Sequence, residues 1–167
     1  MDFSNILLQR ISRHLLRRGE TISIFENCTS GFLQIAFSQM PESETFFKGG
    51  LTLYGKSKMK GFDDFDTDLE SERSSCEKVS LSIVEKFGSD WAIALSGYAA
   101  PCQDSGDRVY TYYSISYKNV IIRSDIIELH PMTKPVDAQK YFAEYILTCL
   151  RCELKHHNQY IAQSTIA

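Results

Sequence analysis

The chain has 167 residues, of which 43% are hydrophobic, enough for one domain with a real core. A net charge of −3 and a pI near 5.8 give no basic footprint for nucleic acid. No apolar run approaches the roughly 20 residues of a membrane span, and Arg10, Arg13, His14, Arg17 and Arg18 interrupt any signal-peptide core, so the expectation is a cytoplasmic protein with no membrane partner.

Residues 3–17 place Phe3, Ile6, Leu7, Ile11, Leu15 and Leu16 on one helical stripe, with the arginines mostly on the other face and Gly19 ending the helix. Thr21–Phe25 is an apolar, β-branched strand. It stops at the polar cluster Glu26-Asn27-Cys28-Thr29-Ser30-Gly31, and a second helix runs from about Thr29 to Gln39, before Pro41. Strand, tight turn and helix N-terminus collect unpaired N–H groups and the positive end of a helix dipole, so the turn can hold an anion or oxyanion. It equally suits ordinary helix capping by Asn, Thr or Ser. A short strand, Leu51–Tyr54, follows Gly49-Gly50, which permit a bend or close backbone approach.

The acidic run 61–72 lacks the calcium-loop pattern and reads as a solvated connection. Ser74–Phe87 is a helix ending at Gly88. Trp91–Leu95 is a wholly apolar central strand, and 98–108 is a loop. Val109–Tyr117 and Val120–Leu129 form an antiparallel pair joined at Lys118-Asn119. A long helix, 136–155, carries Phe142, Tyr145, Ile146, Cys149 and Leu150 on one stripe, and 156–167 is a frayed tail. The five cysteines are expected as reduced thiols. Cys149 and Cys152 lie inside the helical pattern without a second pair, so no metal is expected despite His156 and His157. The fold class is α/β, with a mixed sheet in a single domain. Ligands then sit beyond the carboxyl ends of strands, where the turns at 26–31, 54–58 and 96–106 converge.

Three blocks carry a resemblance that extends over roughly residues 5 to 152. Glu26-Asn27-Cys28-Thr29-Ser30-Gly31 resembles the Glu-Ser-Cys-Thr-Gly-Gly motif of the CinA C-terminal domain family. Phe47–Tyr54 resembles its Phe-x-x-Gly-x-x-x-Tyr segment, and Ala92–Pro101 its strand followed by Ser/Thr-Gly-Ile-Ala-Gly-Pro. The resemblance implies a three-layer αβα sandwich, a homo-oligomer, a small-molecule nucleotide ligand, no added cofactor, and hydrolysis of the amide of nicotinamide mononucleotide by a serine activated by a lysine, with a tyrosine assisting. The tyrosine position is Tyr54. The serine position is Asn27, whose carboxamide is a donor and acceptor but not a nucleophile of this kind. The lysine position is Met59, flanked by Lys58 and Lys60. A one-residue helical shift turns a side chain by about 100°.

The ligand-binding positions are Cys28, Thr29, Ser30, Gly31, Ser96, Gly97 and Lys134, the last standing where the family has an arginine. Asn27, Thr29, Tyr54, Ser96 and Lys134 are expected to line one pocket. Cys28 is the best intrinsic nucleophile of the turn, yet it matches a motif cysteine that is not the family's nucleophile and is expected in the core. Asp104 and Asp107 bring acid to a loop where the family has glycines. Two readings stay open: a fold that has lost catalysis and keeps a nucleotide-pocket-like site or an assembly role, and a diverged amidase.

Overall fold

The computed structural model describes residues 3–54 and 72–164. Helix α1 (Asn5–Arg18) ends at Gly19, whose φ of 61° lets the chain reverse. The Gly19 N–H donates to the Leu16 carbonyl and the Glu20 N–H to that of Leu15, a paired closure that satisfies the last carbonyls of the helix. The buried line is Leu8, Ile11 and Leu15. Ile6, expected on it, is 63% exposed, because five residues place it about 140° round the helix from Ile11.

Strand β1 (Ile22–Glu26) is buried along its whole length. Helices α2 (Phe32–Ser38) and α3 (Ser43–Phe46) lead to β2 (Phe47–Thr52), α4 (Glu72–Phe87) and β3 (Trp91–Tyr98). A single 3-10 turn, Gln103–Ser105, precedes the hairpin of β4 (Val109–Tyr117) and β5 (Val120–Leu129), and α5 (Pro135–Ser164) closes the fold. The sheet order is β2-β1-β3-β4-β5. β1 pairs parallel with β2 and β3, and β4 pairs antiparallel with β3 and β5, which makes the sheet mixed. Lys118 and Asn119, at φ 46° and 61°, form the predicted two-residue turn, whose left-handed geometry matches the strand twist.

The sheet separates two apolar layers. Ile22, Ile24, Trp91, Ile93 and Leu95 pack on one side with Ile11, Leu15, Leu33, Phe142, Ile146 and Leu150 of α1, α2 and α5. Phe25, Ala92 and Ala94 pack on the other with Cys76, Val79 and Ile83 of α4. This is the expected αβα sandwich.

The sequence reading lacked α3 and ended β3 at Leu95, and β2, α2 and α5 differ from it as well. β2 begins at Phe47, so Gly49 and Gly50 lie within it. Gly49 has a φ of 110°, and a Cβ on Gly50 would stand 2.6 Å from the Ile24 carbonyl oxygen. The pairing shifts between Ile22 and Ser23, so β2 passes a bulge that glycine accommodates while its poor strand propensity hides the strand. α2 starts at Phe32 because Ser30 and Gly31 hold φ of 50° and 97° and keep the preceding turn out of the helix. α5 continues past 155 to Ser164. The His157 ring meets Tyr117 at 4.2 Å and Trp91 at 5.6 Å, which gives the helix aromatic packing beyond its apolar stripe.

A buried carboxylate fixes the start of β1. Glu20 accepts from Trp91 Nε1 at 2.8 Å, Tyr117 Oη at 2.9 Å and Arg18 Nε at 2.7 Å. Burial opposes ionisation, yet the hydrogen bonds from Trp91, Arg18 and Tyr117 outweigh it and hold the carboxyl below its ordinary value of 4.5. A depressed folded-state value contributes stability above the ordinary value, and that contribution disappears as pH falls through the folded one. Glu20→Gln is therefore expected to destabilise the fold by about 2 kcal/mol at neutral pH, with the gap to wild type closing as the pH drops below the ordinary carboxylate value. Urea denaturation across a pH series measures it.

Candidate functional site

The site is the turn where β1 ends. Glu26 is the last residue of β1, wholly buried in an otherwise apolar strand. A buried carboxylate must be compensated, and this one is. Its Oε2 accepts from the Thr29 hydroxyl at 2.5 Å and from the Leu33 N–H at 3.1 Å, and its Oε1 accepts from the Gln34 N–H at 3.1 Å. Leu33 and Gln34 are the second and third residues of α2, the positions whose N–H groups a cap ordinarily serves. The helix N-terminus that the sequence offered to an external anion thus already holds the chain's own carboxylate. The cap residue, Gly31, has no side chain, so the capping comes from five residues upstream rather than from Asn27, Thr29 or Ser30. The Glu26 carbonyl also accepts from the Leu53 N–H at 3.1 Å, tying the end of β2 to the same point.

Asn27 continues directly from Glu26. Its Oδ1 accepts from the Gly97 N–H at 3.1 Å, and its Nδ2 donates to Ser96 Oγ at 3.3 Å. Both ends of the carboxamide bind β3, extending the β1–β3 pairing one step past the Glu26–Leu95 pair. The structure therefore brings Asn27, Ser96 and Gly97 together. Gly97 is obligatory there: a Cβ would lie 2.2 Å from the Tyr110 carbonyl oxygen.

The other expected site residues are bound within the turn or lie at the surface. Thr29, expected on a pocket wall, is fully buried with its hydroxyl on Glu26. Cys28 is buried, its thiol directed at Thr111 Oγ1 at 3.3 Å, and burial pushes its pKa up to about 12. At neutral pH it is a protonated core thiol, as its motif position suggested and against the thiolate that a helix N-terminus would favour. Ser30 is exposed, and its Oγ accepts from Gln139 Nε2 at 3.2 Å, which links the turn to the start of α5. Lys134, just before α5, is exposed. Tyr54 is 82% exposed rather than a core aromatic, because β2 has ended two residues earlier. Lys58, Met59 and Lys60 lie outside the described residues, as does the acidic run through 71.

In the third loop Ser105 is buried. Its Oγ accepts from the Cys102 N–H at 3.1 Å and donates to the Cys102 carbonyl at 3.0 Å, a self-contained turn. Asp104 and Asp107 are exposed beside it. Arg108, the nearest cation in sequence, binds Glu128 with both nitrogens, at 2.8 and 2.6 Å. Cys149 and Cys152 sit within α5, and Cys149 lies 3.6 Å from the Tyr113 hydroxyl. Among the described residues no three His, Cys, Asp or Glu side chains gather as a metal set, and no helix is long and apolar enough to cross a membrane.

The sequence reading missed the role of Glu26. The signal was present: a carboxylate closing a run of buried strand residues has to be paired, and the only groups within reach are those of the turn that follows. Glu26→Gln keeps the shape but removes the charge and turns one of the two accepting oxygens into a donor that faces another donor, so we expect a loss of about 2 kcal/mol, read as a lower denaturation midpoint at an unchanged slope.

Known proteins share this architecture. The model of the CinA C-terminal domain matches residues 4–123. A CinA-like protein from one strain of the cyanobacterium Prochlorococcus marinus is 35% identical over 92 residues, 52% of this chain and 22% of the relative. Another, from Prochlorococcus marinus strain AS9601, is 32% identical over 114 residues, 64% and 27% respectively. The chain thus spans about a quarter of the length of the curated relatives it matches. The crystal structure of a competence or damage-inducible protein from Enterobacter asburiae superposes with a TM-score of 0.79 at 17% identity, covering 92% of this chain and 99% of that one. A CinA superfamily protein from Klebsiella pneumoniae 700603 superposes at 0.75 with 20% identity, covering 91% and 98%. With its β1 turn, its mixed sheet and a family model spanning residues 4–123, the chain belongs to the CinA C-terminal domain family.

Proposed function

We propose that this chain is a CinA domain that has lost amide hydrolysis and keeps a nucleotide-pocket-like site or an assembly role. The observation that carries the reading is the double engagement of Asn27. At the position where the family resemblance puts the nucleophilic serine, this chain has a carboxamide bound at one end to the Gly97 N–H and at the other to Ser96 Oγ. A carboxamide has no hydroxyl or thiol for a base to activate, so Asn27 supplies no nucleophile for an acyl-enzyme. The buried neighbours offer no replacement. The Cys28 thiol is protonated and buried, and the Thr29 hydroxyl serves the Glu26 carboxylate. The two N–H groups that begin α2 face that same carboxylate and are not free to stabilise an oxyanion. Asp104 and Asp107 disfavour a phosphate at the third loop.

The measurement is ammonia release from nicotinamide mononucleotide at high protein concentration, alongside a thermal shift with the same ligand. Wild type and Asn27→Ser are expected to release none, and ammonia released only by Asn27→Ser with Met59→Lys supports a decayed amidase site. Turnover by wild type that persists in Cys28→Ala and Ser30→Ala removes the reading. A thermal shift supports a retained pocket, and its absence supports assembly alone.

An assembly role is favoured by the apolar groups left outward. Val136, Tyr141 and Tyr145 of α5 are 55%, 47% and 37% exposed, and Ile122 and Ile126 of the edge strand β5 are 37% and 36% exposed. Aromatic and aliphatic side chains of this kind are enriched in interface cores. Light scattering at roughly tens of micromolar is expected to give a multiple of the 19.1 kDa chain, and a monomer there counts against the assembly role.

A further inference from the structure

A concentration of positive charge lies between α1 and α5, away from the motif turn. A groove of about 470 Å³ runs between α1 and α5, lined by Arg10, Arg13 and Arg17 from the first helix and Arg151 and Lys155 from the second. We propose that this groove binds a phosphate-chain anion of small-molecule size, such as inorganic polyphosphate or the phosphate chain of a nucleotide.

The charge pattern supports this. The 14 residues of α1 include no Asp or Glu, and its arginines stand at i, i+3 and i+7, where like charges on a helix repel one another. Arg17 is explained by its place in the last turn, where a cation suits the helix dipole. Arg10 and Arg13 have no such reason. Nearby carboxylates are committed elsewhere. Glu20 holds Arg18 together with Trp91 and Tyr117, Glu153 of α5 pairs with Arg123, and Glu144 pairs with Lys140. Among the described residues, none of Arg10, Arg13, Arg17, Arg151 and Lys155 forms an ion pair. In a chain of net charge −3, five cations along one groove with no ion pair among the described residues are a focused positive field.

The chemistry narrows the ligand. Four of the five cations are guanidinium groups, whose planar forks match phosphate oxygens two at a time. Arg10 and Arg17 are seven residues apart, about 10 Å along the helix axis, so a linear chain of phosphates meets the row where a single small anion meets only part of it. The volume falls in the range of small-ligand sites. Duplex DNA is read by an element that protrudes into its own groove, whereas this surface is concave between two helices. The Arg17 end of the groove lies beside Glu20, at the opposite end of β1 from Asn27, so the proposal is independent of the amidase question.

The test is isothermal titration of the full chain with inorganic tripolyphosphate. Wild type is expected to bind saturably near one to one, and more weakly as salt rises from about 20 to about 200 mM. Arg13 and Arg17 are exposed, so Arg13→Glu with Arg17→Glu leaves the core intact and is expected to weaken binding by roughly tenfold or more. Lys48→Glu with Lys78→Glu makes the same charge change at exposed positions on β2 and α4 and is expected to bind within about twofold of wild type. Circular dichroism of each variant verifies its helices. Nucleoside triphosphate that competes with tripolyphosphate supports the phosphate-chain reading. Three results overturn it: no saturable binding by wild type, equal weakening in both double variants, or binding seen only with vesicles containing phosphatidylinositol phosphates or only with a DNA duplex.

Discussion

The Glu26 carboxylate organises the end of the sheet on which the rest of the site depends. It is charged, wholly buried and placed at the one point where β1, the motif turn and α2 meet. Desolvating a carboxylate is costly unless donors replace the lost water, and here a hydroxyl and two helix N–H groups do so. Their partial positive charge at the helix start is what the carboxylate meets, so strand and helix neutralise each other. α2 is only seven residues long and gains little stability from its own hydrogen bonds. The carboxylate and the burial of Leu33, Ala36 and Phe37 hold it in place.

Glu20 plays the corresponding part at the other end of β1. The first strand is thus bracketed by two buried carboxylates, one tied to Trp91 of β3 and Tyr117 of β4, the other to the helix that follows. Between them the strand is apolar apart from Ser23, whose hydroxyl meets that of Ser89 at 2.7 Å. Sliding β1 by one residue would leave both charges buried without donors, and it would also exchange Ile22 and Ile24 with Ser23 and Phe25 between the two layers. Register and electrostatics therefore specify the same arrangement.

This arrangement has a functional consequence. The motif turn divides into a structural half and a variable position. Glu26, Cys28 and Thr29 point inward and maintain the turn, and Asn27 is aimed across at Ser96 and Gly97. A residue at position 27 can change its chemistry without disturbing the inward-facing anchors. The scaffold and the chemistry are separable here, which is how a fold can persist while its activity changes.

The sequence by itself determined the element types and the family. The apolar stripes of α1 and α5, the buried run of β3 and the Lys118-Asn119 turn are local patterns, each set by periodicity or by a residue's backbone preference. The three motif blocks lie in order along the chain, so their order was legible too. Only the tertiary structure decided where individual side chains point. Cys28 turns inward toward Thr111, 83 positions away, and Thr29 toward the nearby Glu26, whose burial depends on the strands packed around it. The strand character of Gly49 and Gly50 depends on a close approach to Ile24 that no local propensity reveals. The convergence of arginines from α1 with Arg151 and Lys155 joins residues some 140 positions apart in sequence, and a net charge of −3 conceals it. Periodicity fixes which face of a helix is apolar. It carries no information about which helix lies alongside, so the groove between α1 and α5 exists only once the sheet has brought them together.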